Sequence, residues 1–432
     1  MKKSRRLAVF VLSLTLFAAA LPTTKLTDLQ TKAEHGDPGA QVELGNAYRL
    51  GSAGIPDKSA ALRWYRQAAE QGSALAQFNL GVMYEHGDGV PRYIAEAVKW
   101  YRQAADQGYA AAQYNLGVLY ADGVGVPQDR ATAVSWWRRA AEQGDAEAQT
   151  NLGEMYARGF GVAQDKHEAL QWFRRAAAQG SANARYSVGR IYDNGYGVPQ
   201  QRGEAVVWYR HAAEQGHLDA QKRLGEMYAK GQGVPPDRAE AEKWWRQAAG
   251  QGDAGAQYSL GVMYAHGAGG PPDYAEALQW YRQAATQDLA EAKSNLGAMY
   301  EHGEGVPPDS TEAARWYRKA AEQDLAEAQY NLGSLYARGA GVPPDSAEAV
   351  QWYRKAAEQG FVPAMHHLGV ALLNAATTDR PEAFTWLFAA SALGSAPSRD
   401  LLHSLEGKLP REDIVAAEKS ARALLERLPK NE

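Results

Sequence analysis

Cysteine is missing altogether from the 432 residues. Its absence excludes disulfides, thiol catalysis, iron–sulfur clusters and cysteine zinc sites together. It also excludes a lipid-modified cysteine as an anchor. Long hydrophobic runs are scarce. The one at the start, Leu7 to Phe17, is shorter than the roughly 20 residues of a membrane-spanning helix. Positive charge is in slight deficit, with 46 Lys and Arg against 50 Asp and Glu. Motifs that carry chemistry are missing too: the chain has neither Ser-x-x-Lys nor HExxH.

The first residues read MKKSRRLAVFVLSLTLFAAALPTTKL. Lys2, Lys3, Arg5 and Arg6 form a basic n-region, and Ala18 to Ala20 offer an A-x-A cleavage pattern. Residues 1–20 therefore read as a secretory signal peptide of bacterial style, with Leu21 first in the mature chain. The short apolar run argues against an uncleaved anchor. The expectation is a periplasmic or secreted protein with no stable membrane insertion after cleavage. Removing those four cations from 46 leaves 42 against 50 acidic residues, a net of −8. Such a chain is a poor nucleic-acid binder.

What the chain has in abundance is repetition. Gly45, Gly81, Gly117, Gly153, Gly189, Gly225, Gly261, Gly297, Gly333 and Gly369 are 36 residues apart. Trp64 begins a tryptophan series of the same period, and Trp386 comes two residues early. This makes ten copies over about residues 37–394. Each copy predicts two helices. In the fourth, Ala148, Leu152 and Tyr156 share a face of the first. Ala169, Trp172, Phe173, Ala176 and Ala177 make the apolar stripe of the second. Asp165 and Glu168 suit an N-cap and its N3 partner, as do Asp237/Glu240, Asp273/Glu276, Asp309/Glu312, Asp345/Glu348 and Asp379/Glu382. Gly180 suits a left-handed helix end, and Asp288 and Asp324 replace that glycine in two copies.

The GxGVP segment between the helices is a turn. It lacks the preceding strand and the Lys-Ser/Thr of a phosphate loop. The glycine inside the first helix is more informative, since a mid-helix glycine costs about 1 kcal/mol against alanine. Its recurrence predicts a close helix crossing there, against the tryptophan of the same copy. One copy cannot bury its apolar face alone, so stacked copies are required.

The pattern A-x-A-Q-x-x-L-G-x-M-Y-x-x-G-x-G-V-P-x-D-x-x-E-A-x-x-W-Y-R-x-A-A-x-Q-G resembles the Sel-one-like repeat (SLR), a relative of the tetratricopeptide repeat. The resemblance covers nearly the whole mature chain. It implies an all-α, right-handed α/α superhelical solenoid of about ten helix-turn-helix repeats, whose first helices line a concave face. It also implies a non-enzymatic scaffold for protein partners, often at the bacterial envelope or against a host. Departures are the first turn, GSAGIPD, the N-cap positions Tyr93 and Gln201, and the tenth copy, which lacks its turn glycines. Residues 21–36 and 395–432 read as capping helices at the two ends.

No cofactor or metal site is expected. His366 and His367 are adjacent and point to different sides of a helix. His86, His266 and His302 share one repeat position, but only the last two lie in neighbouring copies. The repeated Asp/Glu pairs serve better as caps than as acid–base pairs. Arginine follows tryptophan by two residues in nine copies, from Arg66 to Arg354. A binding surface tuned to one partner should vary along its length. This invariant row is therefore expected to pair with carboxylates or terminal carbonyls between copies, or to face solvent.

Positions that vary while the frame stays fixed are the candidate partner-binding face. On the first helix they lie three before the glycine, one after it and five after it. The candidates are Phe78, His86, Tyr114, Glu154, Arg158, Tyr186, Arg190, Lys222, Lys230, Tyr258, His266, His302, Tyr330 and Arg338. An aromatic stripe with mixed charge suits protein recognition, although the aromatics could equally be packing residues. The expected function is an exported, non-enzymatic scaffold holding protein partners. The alternatives are a secreted factor that binds a host protein and, from another class, a hydrolase of cell-wall or β-lactam substrates.

Overall fold

The computed structural model describes residues 22–267, 270–374, 380–405 and 411–428. The signal-peptide reading of residues 1–20 and the cap at Asp379 lie outside them. Every element among the described residues is a helix, twenty-three in all. They alternate in each copy as helix A, which carries the glycine, and helix B, which carries the tryptophan. In the fourth copy helix A is Ala146–Arg158 and helix B is Lys166–Ala178. The chain divides into two compact units, one ending at Ala220 and the other beginning at Gln221. In the first, Leu29 and Ala33 of helix Thr23–Glu34 are buried with Ala40 and Leu44 of copy one. In the second, Ala417 of helix Arg411–Arg427 is buried against Phe384 and Leu387 of copy ten.

Helix starts follow the aspartates. The Asp165 carboxylate accepts from the backbone N–H groups of His167 and Glu168 at 2.9 Å. Asp129, Asp237, Asp273, Asp309 and Asp345 cap their helices in the same manner. Tyr93 and Gln201 make no such bond. The N3 glutamate does not complete the expected box. Glu168 instead accepts the indole N–H of Trp172 at 2.9 Å. Glu204, Glu240 and Glu276 take Trp208, Trp244 and Trp280 likewise, at 3.0 Å. The two residues are neighbours at i, i+4, and a packed indole needs an acceptor. In copies two and eight, Lys99 and Arg315 claim the glutamate, and the buried Nε1 of Trp100 and of Trp316 has no partner.

Helix A ends on a left-handed glycine, such as Gly159 at φ 69°. Helix B is followed by another, such as Gly180 at φ 93°. Asp288 and Asp324 hold the same left-handed conformation, at φ 71° and 62°. Asp288 gains a contact that glycine could not make. Its carboxylate bonds the ammonium of Lys293, which holds that carboxyl below its usual range. Lys293 is itself buried, at a position where most copies have glutamine.

The glycine within helix A is a point of close approach, as expected, but not to the tryptophan. It faces the residue after it. A Cβ on Gly153 would lie 2.7 Å from Cε1 of Phe173, too close for any real contact. The corresponding partners elsewhere include Tyr65, Tyr101, Trp137, Tyr209, Trp245, Tyr281 and Tyr317. These rings are buried, and several are fully buried. They are the centre of each copy, while the tryptophan lies one residue round the helix.

Two sets of bonds tie successive copies within each unit. The arginine row donates to the phenol of the next copy: Arg66 to Tyr84 at 2.9 Å, Arg138 to Tyr156 at 2.6 Å, Arg282 to Tyr300 at 2.8 Å. Arg102, Arg174 and Arg318 do the same with Tyr120, Tyr192 and Tyr336. The row is structural, as expected, but its partner is chiefly the tyrosine of the LGxMY stretch; carboxylates join in at Arg246, beside Glu242 and Glu276, and at Arg354, which pairs with Glu382. The second set is a buried amide relay. Gln77 donates to the Ala69 carbonyl of the preceding copy at 3.2 Å and accepts from Gln107 at 2.7 Å. Gln41, Gln113, Gln149, Gln257 and Gln329 repeat it. Paired amides satisfy each other at low cost to burial.

Gly153→Leu should force Phe173 from its place and cost about 1–3 kcal/mol or more by overpacking. Urea denaturation of the full chain followed by tyrosine and tryptophan fluorescence measures it. An unchanged midpoint would contradict the glycine–ring contact.

Candidate functional site

The variable positions of helix A do not share one environment. Those three before the glycine point toward the next copy. Phe78 is 1% exposed and packs between Tyr101 and Tyr109, with ring centroids at 5.7 and 5.1 Å. It is a core residue and, contrary to expectation, presents no surface to a partner. Tyr186, Tyr258 and Tyr330 are half-buried, each lying against the core ring of its own copy at 5.5–5.9 Å. Tyr114 is half-buried as well, and burial, reinforced by the nearby Glu147 and Asp145, pushes its phenol up to about 12.

The variation at this position is matched one copy later. Phe78 meets Tyr109, and Thr150 meets Ser181 at 3.3 Å between hydroxyls. Tyr186 stacks on His217 at 4.4 Å, and burial of that imidazole holds it below its ordinary value. Lys222 pairs with Asp253 at 3.0 Å, and Tyr330 lies against Phe361 at 5.5 Å. Each pair is 31 residues apart: ring on ring, hydroxyl on hydroxyl, cation on carboxylate. Complementarity between copies therefore accounts for residues that look tuned to an outside partner. The pairing was legible within the single chain, as covariation at a fixed spacing.

The other two positions behave differently. Those five after the glycine are exposed: His86, Arg158, Lys230, His266, His302 and Arg338. Arg338 bonds Glu301 of the preceding copy at 2.6 Å, and the His266 ring contacts its own Val262 carbonyl. Those one after the glycine are half-buried, among them Glu154 and Arg190. Glu154 accepts from Arg158 at 3.0 Å and from Ser187 at 3.3 Å. Arg190 lies over the Tyr186 ring, 5.8 Å from its centroid.

Two cavities open on this face, one in each unit. The first, about 210 Å³, lies between copies four and five and brings together Glu154, Arg158 and Arg190. Lys166, Ser187, Ile191 and Tyr196 join them. Ser187 and Ile191 lie on helix A between the variable positions, and Lys166 and Tyr196 lie on other elements. The signal for Tyr196 was in the turns, where Val124, Phe160 and Tyr196 succeed one another at the position between the glycines. The second, about 290 Å³, brings Lys222, Glu226 and Tyr258 together with Trp245 and Leu289. A third, about 500 Å³, lies off this face, beside Lys293, Trp316 and Lys319.

Among the described residues no group of three or more His, Asp or Glu could hold a metal ion. Nδ1 of His366 lies 2.9 Å from the Ser398 hydroxyl. Ser398 is fully buried and its other partner is Ser395, so the pair joins helices and presents no nucleophile to solvent. No helix among the described residues is long and apolar enough to cross a membrane.

Comparison with known proteins places the repeat. The model of the Sel1 repeat matches ten consecutive stretches, from 38–73 through to 362–395. A solved structure from uropathogenic Escherichia coli, a protective antigen displaying an SLR fold, is 34% identical. It covers 93% of this chain and 94% of its own, with a TM-score of 0.64. A Sel1 repeat protein from Oxalobacter formigenes is 36% identical over 72% of this chain and 91% of its own, with a TM-score of 0.58. No curated protein matches the chain.

Phe78→Ala should lower stability by about 3–5 kcal/mol, as expected of a large core ring. Urea denaturation checks it. A cost under about 1 kcal/mol would return Phe78 to the surface.

Proposed function

The chain belongs to the Sel1 repeat family, and from that premise we propose that it is an exported, non-catalytic scaffold that holds a protein partner on the outer part of helix A. The observation that carries this reading is the division of the variable residues. Those before the glycine are matched inside the chain. Those five after it are exposed, those one after it are half-buried, both differ from copy to copy, and Glu154, Arg158 and Arg190 among them border the cavity between copies four and five. Mixed charge around concave apolar patches suits protein recognition. Export rests on the basic n-region, short apolar run and alanine-rich cleavage pattern of residues 1–20.

The Escherichia coli relative is a protective antigen, which favours a second version in which the partner is a host protein. The two versions differ in where the protein is found: with the envelope fraction, or in the medium.

The test is a crosslinking capture with the chain from Leu21 onward, from envelope extract and from host secretions. It runs beside the double variant Arg158→Glu, Lys230→Glu, which changes two exposed side chains and should melt at the same temperature. A partner held by the parent and lost by the variant is the expected result. A partner held equally by both would move the site off helix A.

A further inference from the structure

We propose that the cavity between copies four and five is a specificity pocket for an acidic segment of a protein partner, seating one bulky aliphatic side chain flanked by carboxylates. The proposal rests on the helix A reading above and deepens it. The floor of the cavity is apolar: Phe173 and Ile191 are buried, with Ala157 and Ala169 beside them. Its volume, about 210 Å³, is below the roughly 300–1,000 Å³ of small-molecule sites. It suits a single side chain.

The rim selects the charge. Arg158, Lys166 and Arg190 stand around the opening with one carboxylate, Glu154, leaving two positive charges in excess. Both oxygens of Glu154 are already engaged, by Arg158 and by Ser187. The other two cations are held by rings. The Lys166 ammonium lies 4.9 Å from the Tyr196 centroid, and Arg190 lies over Tyr186. Among the described residues neither has a carboxylate partner. A ring positions a cation without neutralising it, so both can still attract an anion. This concentration of positive charge stands out in a chain of net negative charge. It is also particular to this place. Position one after the glycine reads Asn46, Val82, Val118, Glu154, Arg190, Glu226, Val262, Ala298, Ser334 and Val370, so Arg190 is its only cation.

The test titrates an end-blocked, fluorescein-labelled peptide, Asp-Glu-Leu-Glu-Asp, onto the full chain and reads fluorescence anisotropy. Saturable binding that weakens with added salt is expected. Replacing the peptide leucine by alanine should weaken it on the order of tenfold, the loss expected for a buried aliphatic side chain. Arg190→Glu should weaken it by at least about tenfold. Arg63→Glu, an exposed cation on helix B of copy one, should leave it unchanged. Circular dichroism and the melting temperature confirm that each variant is folded. Absence of saturable binding, or equal loss in Arg63→Glu and Arg190→Glu, would overturn the proposal. If the peptide fails while the captured partner is still lost in the Arg158→Glu, Lys230→Glu variant, the pocket is wrong and the scaffold stands. If both fail, the helix A reading falls with it.

Discussion

A side chain at the helix A glycine would occupy the space of a ring. In the fourth copy that ring is Phe173, and a single added carbon would sit 2.7 Å from it. Everything else in the copy is arranged around this contact. It lets the two helices approach closely enough to bury the alanines beside the ring, such as Ala169 and Ala176. Close approach in turn sets where the following copy must stand. The arginine two after the tryptophan then reaches the next copy's tyrosine, and the glutamine relay reaches the preceding copy's last carbonyls. The helix propensity lost at glycine, about 1 kcal/mol, is small against the burial of an aromatic side chain.

Because the frame repeats, the binding proposed for this chain is assigned to what varies, and not all variation is available to a partner. Residues three before the glycine are occupied with the next copy: Lys222 by Asp253, Tyr186 by His217, Thr150 by Ser181. Residues past the glycine have freer surroundings, and it is there that Arg158, Arg190 and the turn residue Tyr196 surround a cavity. Solenoids separate stability from recognition in this manner: nearest-neighbour contacts hold the array, and exposed positions are left to change.

Much of this was readable from residues alone. The 36-residue period, the helix pair, the aspartate caps and the left-handed ends at Gly180, Asp288 and Asp324 follow from pattern and elementary backbone preference. What pattern could not resolve were choices between adjacent or equivalent groups. Trp172 and Phe173 are both apolar and one residue apart, and only packing decides which meets Gly153. Glu168 could cap its own helix or receive an indole, and the indole wins. Phe78 and Tyr114 occupy the same repeat position. Phe78 is wholly buried because Tyr109 covers it, whereas the matching residue above Tyr114 is the smaller Asp145. Cavity-lining residues from other elements, such as Lys166 and Tyr196, are invisible to a scan confined to helix A.

We propose that a partner docks on the part of helix A past its glycine. Amide hydrogen exchange of the full chain, alone and with the captured partner, tests it directly. Added protection is expected from the glycine to the helix end, as in Gly153 to Arg158, and in the turn that follows, with helix B unchanged. Protection confined to helix B or to the terminal helices would contradict it.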